Sequence, residues 1–145
     1  MKRNASDSLM CTLNHLRRAS RAISHINDAA FSAVDLKSTQ FSLLVTLEKC
    51  GDIPLSQLAK VLVMERTTLT RNLKPLIAKG LIDSRSESDK RLRIISITKQ
   101  GKKILESAEP LWRAAQLSLV SKLGNERWSR LIDDLTFLTK EAIKM

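Results

Sequence analysis

The stretch MERTTLTRNLKPLIAKGLI, residues Met64–Ile82, combines a run of leucines with an unusual cluster of threonine and arginine. Threonine is a poor helix former, yet three threonines stand near the start of the stretch beside Arg66 and Arg71. Leucines recur at helical spacing behind them, and a Lys-Gly pair closes the run. The pattern predicts a helix that ends at Gly80, with one leucine face and one polar, basic face.

The residues before this helix predict a helix-turn-helix. Leu58, Ala59 and Leu62 mark a short preceding helix, and VLVME is a tight connection between the two. In this motif the second helix lies in the DNA major groove and reads bases from its N-terminal half. The candidate DNA-binding residues on this helix are Arg66, Thr67, Thr68, Thr70, Arg71 and Lys74.

The chemistry of these side chains explains the choice of threonine. A short hydroxyl side chain lets a helix approach DNA closely, its oxygen can bond a phosphate or a base edge, and its methyl can contact a thymine methyl. Arginine can bind guanine through two hydrogen bonds. The structural alternative is that Thr67 or Thr68 serves only near the helix cap.

The next stretch, LIDSRSESDKRLRIISIT, predicts a β-hairpin because two short apolar runs enclose a polar centre. Beside a recognition helix, a basic hairpin is typical of a wing that reaches the minor groove. Asp89 would pair with Arg91 and stabilise the tip of the wing. The alternative is a solvated charged turn. The candidate DNA-binding residues on this hairpin are Arg85, Lys90, Arg91 and Arg93.

Amphipathic helices flank this region, so the predicted fold class is mainly α with a small β-wing. They cover about residues 8–27, 39–50, 99–123 and 125–143; Ser8 and Thr98 are N-cap candidates, and Pro110 is expected to bend the third of these helices. The terminal helices carry more apolar surface than one small domain covers, which indicates burial against a second copy. The alternative is that they fold back on their own domain.

Composition favours a polyanionic partner. The 145-residue chain has a net charge of +10, and residues 60–103 hold twelve basic and four acidic residues, a net +8. The sequence shows no apolar run of the ~20 residues that span a bilayer and no disulfide framework, so we expect a cytoplasmic protein without membrane association. Aromatic residues make up only 3%, which disfavours binding of single strands by base stacking.

The ordered set of motifs resembles the MarR (multiple antibiotic resistance regulator) family of bacterial transcription factors. The matching features are Leu58-Ala59, Thr68 to Arg71, Lys79-Gly80-Leu81-Ile82, Asp89-Lys90-Arg91 at the wing tip, and Thr98 with Gly101, where Ile97 replaces the usual leucine. The resemblance implies one MarR-like domain over 1–145, with a winged helix-turn-helix lobe at 36–101 and dimerisation helices at 8–28 and 102–145.

The resemblance also implies a homodimer that binds a pseudo-palindromic operator in double-stranded DNA, usually as a repressor. Many family members release DNA when a small phenolic or lipophilic effector binds between the dimerisation and DNA-binding regions. His15, Phe41 and Trp112 are candidates for the wall of such a pocket, although the two aromatic residues also fit a core role.

A redox-sensing regulator is an alternative, because Cys11 and His15 are four residues apart on one helical face. The simpler interpretation is that Cys11 packs at an interface. Cys50 is interpreted as structural, and no Cys/His spacing predicts a metal site or other cofactor. Two further classes remain: a non-specific basic nucleic-acid- or membrane-surface-binding protein, and an enzyme, for which the sequence offers no phosphate loop or complete catalytic set.

Overall fold

The computed structural model of the chain describes residues 11–86 and 92–145. Six α-helices and three short strands follow one another in these residues, with a 3₁₀ helix at Phe31–Val34. The elements are α1 (Thr12–Ala30), α2 (Ser38–Cys50), β1 (Ile53–Pro54), α3 (Leu55–Val61), α4 (Arg66–Ala78), β2 (Ile82–Ser86), β3 (Arg93–Ile97), α5 (Lys99–Leu123) and α6 (Asn125–Lys144). This arrangement confirms the predicted fold class.

The core lies where α2, α3 and α4 pack on the sheet. The leucine face of α4 is wholly buried through Leu69, Leu73 and Leu76, as its spacing predicts. From the other elements, Leu44 and Leu58 are equally buried. Truncation of such a leucine to alanine typically costs about 2–5 kcal/mol, so this core fixes the orientation of α4.

The sheet has three antiparallel strands in the order β1-β3-β2, where the sequence predicted a two-stranded hairpin. Ile95 of β3 pairs with Ile53 on one side and with Ser84 on the other. The missed strand β1 has only two residues, and one of them is Pro54. Proline fits there because an edge strand leaves some backbone N–H groups without a ladder partner.

The connection between α1 and α2 is more ordered than the predicted loop. The first helix continues to Ala30 rather than ending near residue 27, and the chain then tightens into the 3₁₀ helix. Phe31 and Leu36 are both almost wholly buried. The corner between α1 and α2, residues 31–37, therefore contributes to the core. Asp28 of α1 accepts a hydrogen bond from the backbone N–H of Ser38 at 2.6 Å and thereby caps α2.

Helix α5 begins as predicted. The hydroxyl oxygen of Thr98 accepts a hydrogen bond from the backbone N–H of Gly101 at 3.0 Å, which confirms Thr98 as the N-cap. The same hydroxyl donates to the carbonyl oxygen of Gly80 at 2.7 Å. The end of α4 and the start of α5 are thus joined, and α5 continues through Pro110 to Leu123. The other N-cap candidate, Ser8, lies outside the described residues.

The terminal helices leave apolar side chains in solvent. Neither α1 nor α6 contains a buried residue. The exposed large apolar residues on α1, α5 and α6 include Leu13, Ile26, Leu117, Phe137 and Ile143. Among the residues that the structure describes, no helix has both the length and the apolar character that a membrane span requires.

Candidate nucleic-acid interface

The outer face of α4 forms a shallow basic groove. Arg66, Thr67, Thr70, Arg71 and Lys74 line it together with Leu55, the first residue of α3. The structure therefore brings together five of the six predicted residues on this helix. Within residues 11–86 and 92–145, no carboxylate lies within ion-pair distance of the three cationic groups. The groove is therefore a concave surface whose positive charge is available to a polyanion.

The threonines differ in how the helix presents them. Thr70 donates its hydroxyl proton to the carbonyl oxygen of Arg66 at 2.8 Å, so its oxygen keeps lone pairs that can accept a further bond. Thr67 faces the groove, whereas Thr68 is exposed but does not line it. The residue at the N-cap is Glu65, and no side chain caps the helix. Thr67 and Thr68 therefore lie in the first turn of the helix, near the cap, but neither of them is the N-cap residue.

The turn before α4 holds one non-glycine residue in the left-handed region. Val63 has φ +52°, an outlier for a β-branched residue. Its backbone N–H bonds the carbonyl oxygen of Lys60 at 3.1 Å, and that of Met64 bonds Ala59 at 2.9 Å. These hydrogen bonds close the tight connection that sets α4 at its angle to α3.

The two described arginines of the wing have partners within the protein. The guanidinium of Arg85 contacts the Asp52 carboxylate at 2.5 Å, and Arg93 Nε donates to the Ser84 hydroxyl at 2.5 Å. Arg85 is thereby tied to the turn before β1, and Arg93 spans the two strands of the hairpin. Contact of these arginines with DNA stays a prediction. Asp89, Lys90 and Arg91 lie outside the described residues, as does the predicted Asp89–Arg91 pair.

An apolar cleft of about 360 Å³ lies between α2 and α5. Phe41 and Trp112 line it with their rings stacked 6.0 Å apart, and Phe31 stacks behind Phe41 at 4.8 Å. At the rim, Glu48 pairs with Lys102 and Glu109 pairs with Arg113. The remaining lining residues are Val45, Lys49 and Leu105. Two of the three predicted pocket residues therefore meet in one cleft.

The third predicted pocket residue, His15, is exposed on α1 and does not line the cleft. Its Nδ1 lies 3.0 Å from the backbone carbonyl oxygen of Cys11, so the imidazole contacts the backbone of Cys11 rather than its thiol. Cys11 is a half-buried free cysteine at the N-cap of α1, and Cys50 is a free exposed one. No cluster of three or more His, Cys, Asp or Glu side chains suited to a metal occurs in the described part of the chain.

Sequence reasoning missed two long-range ion pairs near this interface. Asp52 and Arg85 are 33 positions apart, and Asp35 and Lys79 are 44 positions apart. Each acidic residue lies in a loop without helical or strand periodicity, so no local pattern could have found its partner.

Comparisons with known proteins agree with this geometry. The MarR family model matches residues 36–92. The Mycobacterium tuberculosis transcriptional regulator MosR, solved in complex with DNA, is 34% identical, with a TM-score of 0.84 over 92% of this chain and 97% of that chain. YhbI of Bacillus subtilis, an uncharacterised HTH-type transcriptional regulator, is 27% identical over 94% of this chain and 92% of its own length.

A third protein has the same fold as this chain, but its sequence identity is too low to indicate more than the fold. The Bordetella bronchiseptica protein BpsR, whose DNA binding is regulated by 6-hydroxynicotinic acid, is 19% identical, with a TM-score of 0.79 over 94% of this chain and 98% of that chain. The match to MosR extends over nearly the whole of both chains, and the family model covers the helix-turn-helix and the first strand of the wing. The chain therefore belongs to the MarR family of transcriptional regulators.

Proposed function

We propose that this protein is a cytoplasmic, homodimeric transcriptional regulator that binds a pseudo-palindromic operator in double-stranded DNA and acts as a repressor. The basic groove of α4 is the observation that carries this proposal. Its cationic side chains face outward from a helix whose opposite face is buried in the core. A helix presented in this way fits the major groove. MosR, which resembles this chain over nearly its whole length, was solved with DNA.

The groove contains the two kinds of contact that a specific regulator needs. Arg66 and Lys74 are the first and the last groove residues along α4, and we assign their long cationic side chains to phosphate oxygens, which position a protein on DNA. Thr67 and Arg71 come between them in the sequence of α4, and we assign these two side chains to base edges, which specify sequence. This division separates the proposal from a non-specific basic binder, for which every contact would be to phosphate.

The dimer supplies the second half-site. The apolar residues that α1, α5 and α6 expose would be buried between two copies, which removes their contact with water. A two-fold dimer places two copies of α4 in successive major grooves, about 34 Å apart. The operator is then expected to be an inverted repeat with half-sites about one helical turn apart.

Binding of the purified protein to the DNA upstream of its own gene tests the proposal. At ~150 mM salt, where non-specific contacts weaken, we expect a dimer to bind this DNA selectively over a scrambled duplex of the same composition. Equal, weak and strongly salt-dependent binding to both duplexes would contradict a sequence-specific regulator. The same assay repeated with peroxide tests the redox alternative, with Cys11→Ser as its control.

The cleft beside Trp112 supports an effector as the second part of the proposal. Its volume falls in the range of small-molecule sites, and stacked rings suit a flat aromatic or lipophilic ligand. It lies between α2 of the DNA-binding lobe and α5, which continues into the exposed helix α6. A ligand that prefers one spacing of these helices would change the separation of the two α4 helices and release DNA.

A further inference from the structure

Lys79 connects the C-terminal end of α4, the proposed recognition helix, to the corner between α1 and α2. Its ammonium group donates to two oxygens of Asp35, the backbone carbonyl at 2.9 Å and the carboxylate at 2.8 Å. The hydrogen bond and the charge of Lys79 lower the pKa of Asp35 below its usual 3.8. One side chain therefore spans two groups of a residue that is 44 positions away in the sequence.

The backbone at both ends of this contact is flanked by core residues, whereas the side chains of Lys79 and Asp35 are 38% and 93% exposed. Asp35 ends the 3₁₀ helix in the left-handed conformation, with φ +49°, between the buried Phe31 and the buried Leu36. Lys79 is the C-cap residue of α4 and is followed, after Gly80, by the buried Leu81. A change in the separation of these two backbone segments would therefore lengthen or break the Lys79–Asp35 contact.

The Lys79–Asp35 contact connects α4 to a corner that also packs against the terminal helices. The corner is the covalent connection from α1 to the DNA-binding lobe, and its 3₁₀ helix packs against both α1 and α5. Lys79 ties that same corner to the end of the helix that bears the basic groove. The pair thus lies between the helices assigned to dimerisation and the surface assigned to DNA.

We propose that Asp35 and Lys79 form a clamp that positions the recognition helix relative to the terminal helices, and that operator affinity depends on this clamp. The inference rests on the proposed function. Neither residue lines the basic groove, so both are positioning residues rather than DNA contacts. The clamp stabilises the spacing of the two α4 helices that the operator requires.

Removal of the Asp35 charge distinguishes the clamp from simple electrostatics. Asp35→Asn keeps a side chain that tolerates the left-handed conformation but deletes one negative charge. General attraction to DNA predicts tighter binding for the more basic variant. The clamp predicts the opposite, a loss of about two- to fivefold in operator affinity, the size expected for an exposed ion pair.

Lys79 is tested with a matched pair of substitutions. Lys79→Met deletes the ammonium and should weaken operator binding, whereas Lys79→Arg keeps a cation that can reach both oxygens and should bind like wild type. Under the clamp, the salt dependence of Lys79→Met equals that of wild type. If Lys79 instead contacts a phosphate, the slope of log K against log salt falls by about 0.9.

A double-mutant cycle completes the test. In the Asp35→Asn background, Lys79→Met should cost less affinity than it costs alone, because the shared contact is already weakened. Full additivity of the two losses, tighter binding by Asp35→Asn, or a reduced salt slope for Lys79→Met would each overturn the clamp. Melting temperatures within about 4 °C of wild type would show that the fold is kept.

Hydrogen exchange of the free protein separates failure of the clamp from failure of the proposed function. The clamp predicts faster exchange at the backbone amides of Lys79 and Gly80 in both Asp35→Asn and Lys79→Met than in wild type. This readout requires no operator. If wild type shows no operator selectivity, the proposed function fails, and unchanged exchange in the variants would then overturn the clamp by itself.

Discussion

A Cβ atom on Gly101 would lie 2.1 Å from the carbonyl oxygen of Leu81 and 2.7 Å from a side-chain carbon of Ile97. Helix α5 therefore starts in direct backbone contact with the segment that leaves the recognition helix. Thr98 reinforces this contact, since its backbone N–H donates to the Leu81 carbonyl oxygen at 3.1 Å. Glycine is needed at position 101 for close approach and not for an unusual backbone angle.

We expect Gly101→Ala to destabilise the protein by about 3 kcal/mol, because the clash is with backbone that cannot move aside cheaply. The helix propensity of alanine offsets only about 1 kcal/mol of this loss. Urea denaturation measures the change, and Lys99→Ala, an exposed substitution in the same turn, is the control. A Gly101→Ala protein as stable as wild type would show that α5 and Leu81 are not in contact.

Arg71→Ala tests base readout. If Arg71 makes a bidentate contact to a guanine, the variant should lose about 1–3 kcal/mol of operator binding and relax its preference at one base position. Binding to a set of operators substituted at each position measures this. Lys74→Ala, in the same groove, is the matched comparison and should weaken binding to all of them alike. A uniform loss for Arg71→Ala would assign that residue to phosphate as well.

The amphipathic helices of the fold were predictable because the spacing of apolar residues within each segment indicates its structure. The spacing of Leu69, Leu73 and Leu76 fixes which face of α4 is buried, and the remaining positions must then face outward. The same reasoning found the basic groove. Thr98 was predictable as a cap because a threonine stands directly before a helical pattern.

The parts that were missed depend on contacts between distant residues. Strand β1 has two residues, too few for any period, and exists because β3 offers a free edge to Ile53. The partners of Arg85 and Lys79 are acidic residues in loops. His15 was placed in the effector pocket from its position in the sequence, but the rotation of α1 leaves it in solvent.

Val63→Asn should stabilise the protein by about 1 kcal/mol. A β-branched residue at φ +52° carries strain, since the left-handed conformation costs about 1–2 kcal/mol for most residues, whereas asparagine tolerates it. Val61→Asn is the control, because Val61 is similarly exposed, 55% against 58%, but lies in helix α3. Thermal unfolding should show a gain for position 63 only. Equal shifts for both variants would indicate an effect of surface polarity and not of strain.

The hydrogen bond to the Asp28 carboxylate should make the folded protein less stable in acid. The backbone N–H of Ser38 lowers the pKa of Asp28 below its usual 3.8. Because the folded-state pKa lies below the unfolded one, the carboxylate stabilises the fold fully above pH ~4 and loses this contribution as the pH falls through the folded-state pKa. Asp28→Ala should cost about 1 kcal/mol at pH 7, the value of a typical helix cap.

The difference in stability between wild type and Asp28→Ala should therefore shrink as the pH falls below about 4, which unfolding curves at several pH values can measure. Asp28→Asn separates the charge from the hydrogen bond, because its side-chain oxygen still accepts but does not titrate. A difference that stays constant down to acid pH would show that the Asp28 carboxylate does not cap α2.

The cleft between α2 and α5 predicts a fluorescence response to its ligand. The chain has two tryptophans, so Trp128→Phe leaves Trp112 as the single reporter at the cleft. We expect a flat phenolic probe such as 2-naphthol to change this fluorescence and to weaken operator binding over the same concentration range. Val45→Phe fills part of the cleft and should reduce probe affinity at least about tenfold, because the stacking ligand would overlap the new ring.

Ser42→Phe is the matched control, since Ser42 is exposed on the same helix and does not line the cleft. It adds the same ring outside the site and should leave probe affinity unchanged. Ser42→Phe should also bind operator like wild type in the absence of probe, because Ser42 lines neither the cleft nor the basic groove. If the probe releases operator from Val45→Phe and wild type at equal concentrations, the effector acts elsewhere and the cleft is only a packing gap beside the core.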